Sequence, residues 1–268
     1  MQRTARGHGL RTGARAALLG LALTAAGDAH AASSVLIWPI NPTIEAEQKA
    51  AALWLENRGQ QPVGLQVRVM AWRQGDFDDR LDAQRSVIGS PPVVTIAPGK
   101  RQMIRLIATQ PAPAGTEQAY RVLVDEMLQP DAVADPQLGV KFQMRYSVPL
   151  FVFGTGVAPA PVPVPVPVPG AKPREGVQVL QPKLSYQVRQ EGGRHYLFLS
   201  NQGAAHARLS KVSVRQGSAR TLIADGLLGY VLPGAQMRWQ LPDGVPGGNF
   251  VLEARINEQA EPQPIPLQ

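Results

Sequence analysis

Short apolar runs, a central proline-rich segment and the lack of cysteine together predict an all-β protein of two sandwich domains. The runs alternate apolar with polar residues at period 2, and none sustains the 3.6-residue repeat of an amphipathic helix. In "APAPVPVPVPVPG" (158–170), alternate prolines remove backbone donors and fix φ, so neither helix nor sheet continues and the chain divides there. With no cysteine among 268 residues, disulfides and thiol chemistry are excluded, and each domain must stand on its hydrophobic core.

Taken in order, the first element is a leader. Arg3, Arg6, Arg11 and Arg15 precede the apolar run "AALLGLALTAA" (16–26), and small Ala29 and Ala31 suit the −3 and −1 positions of a cleavage site. The run is shorter than the ~20 apolar residues a membrane helix needs, so residues 1–31 are expected to be a signal peptide cleaved after about Ala31, and the mature protein to be exported without membrane insertion. Removing the leader takes away four of 27 basic and one of 20 acidic residues, leaving 23 against 19, or +4. A mild excess spread along the chain, without clusters of Lys and Arg, argues against a nucleic-acid partner.

The first domain, placed at residues 32–156, should contain strands at "SVLIWPI", "AAALWLEN" (50–57), "VGLQVRVMAW" (63–72), "PVVTIA" (92–97), "RQMIRLIAT" (101–109), "AYRVLVDEML" (119–128) and "GVKFQMRYSVPLFVFG" (139–154). Turn residues separate them, as in "NRGQQP", "QGDFDD" and "APGK". Seven short strands at this spacing indicate an immunoglobulin-like sandwich. The last stretch is the unusual one. Val140, Phe142, Met144, Tyr146, Val148, Leu150 and Val152 occupy every even position, a stripe longer than a common strand of roughly 5–6 residues.

Residues 157–176 form the linker. Polyproline II at about 3.1 Å per residue makes Pro159 to Pro169 a stiff spacer of roughly 30 Å, with a passive low-complexity expansion as the alternative. The second domain, residues 177–268, repeats the β style in "KLSYQVRQ", "HYLFLSN", "ARLSKVSVR", "RTLIADGL", "QMRWQLP" and "NFVLEARI", a smaller sandwich.

Little supports enzymatic chemistry. His8 and His30 leave with the leader, and His195 and His206 each stand alone without metal-ligand spacing, so no metal or cofactor is expected. "GDFDD" (75–79) lacks the glycine and distal glutamate of a calcium loop and reads as a solvated hairpin tip. No nucleophile elbow, phosphate loop or dinucleotide fingerprint occurs. Met103, Trp38, Trp54 and Trp72 read as core residues, whereas Met144 belongs to the long stripe.

Four blocks carry a family resemblance: "ALWLENRGQQPVGLQVRVMAW" (52–72), "SPPVVTIAPGKRQMIRLI" (90–107), "EQAYRVLVDEM" (117–127) and "VKFQMRYSVPLFV" (140–152). In order and spacing they resemble the periplasmic, PapD-like chaperones of pilus assembly, and "IWPINPTIE" (37–45) with "RYSVPLFV" is similar to the archaic, spore-coat-like branch. The resemblance implies two immunoglobulin-like domains in a boomerang arrangement, with pilus or fimbrial subunits bound in and along the cleft. The chaperone lends its last first-domain strand to a subunit that lacks one, then passes the subunit to an outer-membrane usher without ATP. By the family's pattern, Val140, Phe142, Met144 and Tyr146 would fill subunit pockets, each large side chain contributing about 1.5–3 kcal/mol, while Val148, Leu150 and Val152 belong to the chaperone's own core.

One part of the pattern departs. Better-known branches anchor the subunit's C-terminal carboxylate with an arginine on the first strand and a lysine on the last. Here those places hold Asn41 and Pro149. Arg121 and Arg145 are the candidate anchors on strands expected to pair; the alternative is solvent-facing charge that keeps an edge soluble. Arg105 reads as structural. Two other functions stay open at this stage: an exported two-domain binding or adhesion module, and a hydrolase, for which the sequence shows no acid–base pair.

Overall fold

The computed structural model describes residues 35–127, 143–160, 176–245 and 250–268. The expected leader at 1–31, Val140, Phe142 and residues 161–175 of the proline segment lie outside them.

The first domain comprises β1 (Val35–Trp38), β2 (Thr43–Ile44), β3 (Ala50–Asn57), β4 (Val63–Gly75), β5 (Asp78–Asp82), β6 (Val87–Ser90), β7 (Val93–Ile96), β8 (Arg101–Ala108), β9 (Glu117–Met127) and β10 (Arg145–Phe153). One sheet runs β1-β3-β8-β6; the other runs β2-β10-β9-β4-β5, with β7 also on β4. Alternation along each strand fills the space between the sheets. Leu53 and Leu55 from β3, Ile104 and Leu106 from β8, Val122 and Val124 from β9, and Leu150 from β10 are all buried there.

The same alternation corrects the reading of two tryptophans. Because Ile37, Leu53 and Leu55 face inward, Trp38 and Trp54 point outward, half-buried and stacked at 6.2 Å, with Arg101 over Trp54. Met103, opposite Trp54, shares that outer face. Trp72 is buried, 2% exposed, though against the second domain and not in the first core.

The second domain comprises β11 (Val157–Ala158), β12 (Gln178–Val179), β13 (Leu184–Glu191), β14 (Arg194–Asn201), β15 (Ala207–Gln216), β16 (Ala219–Val231), β17 (Gln236–Gln240), β18 (Val251–Ile256) and β19 (Gln263–Ile265). Sheets β13-β14-β17 and β16-β15-β18-β19 enclose Leu197, Leu199, Leu209, Val212, Val231 and Leu252. The short pair β11–β12 is parallel, with Val157 beside Gln178 and Ala158 beside Val179.

That pairing overturns the spacer reading of the proline segment. Neighbouring strands lie about 4.8 Å apart, so the chain leaves and re-enters the fold at one place. A segment whose flanks pair side by side sets no distance of ~30 Å between domains.

Each domain also builds a turn on a buried asparagine. Asn57 donates to the Gln61 and Ile96 carbonyls and accepts from the Gly59 N–H. Asn201 donates to the Ala205 and Val231 carbonyls and accepts from the Gly203 and Lys183 N–H groups. Gly203 is needed for close approach, since a Cβ there would stand 2.3 Å from the Lys183 nitrogen.

The two sandwiches meet in a third apolar cluster. Trp72, Phe151 and Phe153 of the first domain pack with Leu180, Ala205, Tyr230 and Leu232. Among the described residues no helix is long and apolar enough to cross a membrane, and no group of three or more His, Asp or Glu side chains could hold a metal.

Candidate functional site

The even residues of β10 form its bonds to β9. The Glu126 N–H donates to the Met144 carbonyl at 3.0 Å, and Tyr146 opposes Val124, Val148 opposes Val122. Backbone groups of successive residues in a strand point to opposite sides, so those of odd residues face away from β9. On that side the Phe151 N–H donates to the Pro42 carbonyl at 3.3 Å, and β2 runs parallel beside Phe151 and Val152. From Arg145 to Pro149 no described strand covers this side of β10. Pro149 occupies an odd position, so its missing N–H costs the β9 ladder nothing.

Side chains along this edge change character over a few residues. Val148, Leu150 and Val152 are buried in the first core, as expected. Tyr146 is half-buried, packs against that same core and donates its hydroxyl to Glu126 Oε1 at 3.2 Å. Burial, reinforced by the Glu126 charge, raises its pKa above the usual value. Met144 lies past the core and is 46% exposed. The apolar face of β10 therefore runs beyond what its own domain covers.

The two candidate anchors occupy different surroundings. Arg121, opposite Pro149, is 13% exposed as a side chain. Its guanidinium lies 3.6 Å over the Trp72 ring and near Tyr230, with Asp79 of β5 at 3.6 Å, so it leans across β4, away from the open edge of β10. Burial lowers its pKa; the charge of Asp79 opposes the shift.

Arg145 stands at the start of the open edge, 63% exposed, bound to Asp125 directly across the ladder. Arg68 holds the other oxygen of Asp125 at 2.8 Å. Burial pushes the Asp125 carboxyl up, but hydrogen bonds and charge from Arg145 and Arg68 outweigh it and hold the group below its ordinary 3.8. Arg105 is exposed on the outer face of β8, opposite Ala52 and Ser90.

Sequence reasoning missed three features here. Asn41 donates to Glu258 Oε1 of the second domain at 2.9 Å. Glu117, its side chain wholly buried, accepts from the His206 N–H at 3.0 Å and meets His206 Nδ1 at 2.9 Å, while the imidazole stacks on Phe151. Beside them opens an interdomain cavity of ≈ 810 Å³, lined by Asn41, Phe153, His206 and Arg208, the last hydrogen-bonded to Tyr230. A lone histidine beside a strand gives no local signal of a partner 89 residues away.

The family model for the pili and flagellar-assembly chaperone PapD N-terminal domain matches residues 40–158. Among solved structures, the chain is 32% identical to the chaperone in the CsuC–CsuE chaperone–tip adhesion subunit complex from archaic chaperone–usher Csu pili of Acinetobacter baumannii. The match has a TM-score of 0.64 and covers 88% of this chain and 99% of that one. Similar folds occur in the Escherichia coli chaperone DraB (15% identity, TM-score 0.53, 88% and 98% covered). The structure of the Salmonella enterica SafA pilin with the SafB chaperone also matches (16%, 0.54, 87% and 94%). No curated protein sequence matches. Two immunoglobulin-like sandwiches and 32% identity across nearly all of an archaic pilus chaperone agree: the chain belongs to the PapD-like pilus-assembly chaperones.

Proposed function

We propose that this chain is a periplasmic, non-enzymatic chaperone that binds pilus or fimbrial subunits by β-strand addition and delivers them to an outer-membrane usher. Residues 1–31 serve as its signal peptide. The observation that carries the reading is the open edge of β10 from Arg145 to Pro149, continued by the exposed Met144.

An incomplete sandwich exposes strand edges and apolar core, both aggregation hazards. The β10 edge offers backbone groups at Arg145 and Ser147, the exposed Met144 extends its apolar side, and Phe142 and Val140 continue the alternation in the sequence. Tyr146 is shared, packing on its own core on one side and bordering the bound strand on the other. Arg145, exposed at the start of the edge, is the accessible candidate for a subunit carboxylate; Arg121 would have to exchange Asp79 for it.

Co-expression of the chaperone with a pilus subunit whose sandwich lacks one strand tests the strand. With Phe142→Asp and Met144→Asp together, soluble pilin should fall at least tenfold while the chaperone itself remains folded. Unchanged pilin recovery would sink the assignment.

A further inference from the structure

The hairpin of β4 and β5 turns on Asp76 and Phe77, with φ of 55° and 64°. Two-residue hairpins of this kind need left-handed backbone at both positions and favour glycine at the second. A phenylalanine there is strained, and such strain persists where the surroundings impose it.

The surroundings are those of the other domain. The Phe77 ring meets Phe198 of β14 edge-on at 5.3 Å, and the Arg238 guanidinium lies over Phe77 at 5.1 Å. Phe198 alternates with the core residues Leu197 and Leu199, so it faces outward from its own sandwich, yet it is only 1% exposed. Its outer cover is Phe77 together with Arg189, 4.7 Å over its ring. Glu191 fixes Arg238 at 2.6 Å.

The same hairpin makes a second crossing. Gln74 accepts from the Leu232 N–H at 2.8 Å and donates to the Tyr230 carbonyl at 3.0 Å and to Asp79 Oδ1 at 2.9 Å. Trp72, in the interdomain apolar cluster, and Phe77 are five positions apart, roughly 16 Å at extended spacing. Besides the Asn41–Glu258 and Glu117–His206 bonds, the domains thus touch at a pivot around Trp72, Phe151 and Tyr230, and again at the end of a lever.

We propose that the β4–β5 hairpin is a latch that sets the angle between the two sandwiches, and that Phe77 is kept in its strained conformation because its ring is the latch contact. A contact at the end of a lever holds the angle with a longer arm than the pivot, the Glu117–His206 pair and the Asn41–Glu258 bond supply without it. The inference concerns the free protein and holds whatever it binds.

Phe77→Gly and Phe77→Asn both suit the left-handed turn and remove the ring. In the mature protein, residual dipolar couplings should fit one alignment tensor shared by both sandwiches. In each variant they should require two tensors, with the cross-strand contacts of β4 and β5 intact. A single shared tensor with the original orientation in either variant overturns the proposal. Loss of the hairpin's own cross-strand contacts in both overturns it too, since Phe77 would then act on the turn. Gln74→Ala should likewise require two tensors.

Discussion

Asp125 illustrates how one side chain can be tied to two others and still leave a signature of its own. Its folded pKa is held below 3.8 by Arg145 and Arg68, so its contribution to stability is complete above the ordinary carboxylate range and is lost as pH falls through the folded value. Arg145 and Arg68 are 63% and 42% exposed, and salt screens such pairs. Urea denaturation from pH 6 to pH 2 should therefore show wild type more stable than Asp125→Asn near neutrality, with the gap closing below about pH 3.8 and shrinking in high salt. The buried asparagines, by contrast, were partly legible. "LENRG" and "LSNQG" place an asparagine at the end of a strand and a glycine two residues on, in both halves of the chain. What no spacing could supply is the set of carbonyls each one meets, such as Ile96 for Asn57, 39 residues away.

At the scale of single elements, period-2 patterning located most strands because it is a local property. "AAALWLEN" coincides with β3, and the expected strands at 63–72, 101–109 and 119–128 differ from β4, β8 and β9 by a few residues at their ends. β5 escaped notice because "DDRLD" is charged and exposed, a composition that suits an edge strand and hides it. The acidic "GDFDD" is a hairpin tip, as expected, though its last two aspartates already belong to β5. β10 allows a sharper test than any side-chain change. Ser147 directs its backbone N–H away from β9, so Ser147→Pro removes a donor from the open edge without breaking the existing ladder. The variant should keep its thermal midpoint within a few degrees while losing most of its affinity for a pilin lacking one strand, as measured by calorimetry. Retained affinity would show that the edge is not the docking site.

Across the whole molecule, the two sandwiches are joined by polar bonds as well as by the cluster around Trp72. Glu117 is the most enclosed of these groups, and removing its partner leaves a buried acceptor unsatisfied, at about 1–3 kcal/mol. His206→Ala should lower the unfolding free energy by roughly that amount, with a further loss from the ring stacked on Phe151, and chemical denaturation would measure it. By itself the sequence determined the all-β class and most of the strands, because side-chain alternation along a strand follows from a few neighbouring residues. Only the tertiary structure decided which edge of β10 stays open, that the proline segment's flanks lie side by side, that Arg121 and Phe77 face the second domain, and that His206 of the second faces the first. Those outcomes depend on pairs such as Gln74 with Tyr230, 156 residues apart, whose meeting is set by how two finished sandwiches pack.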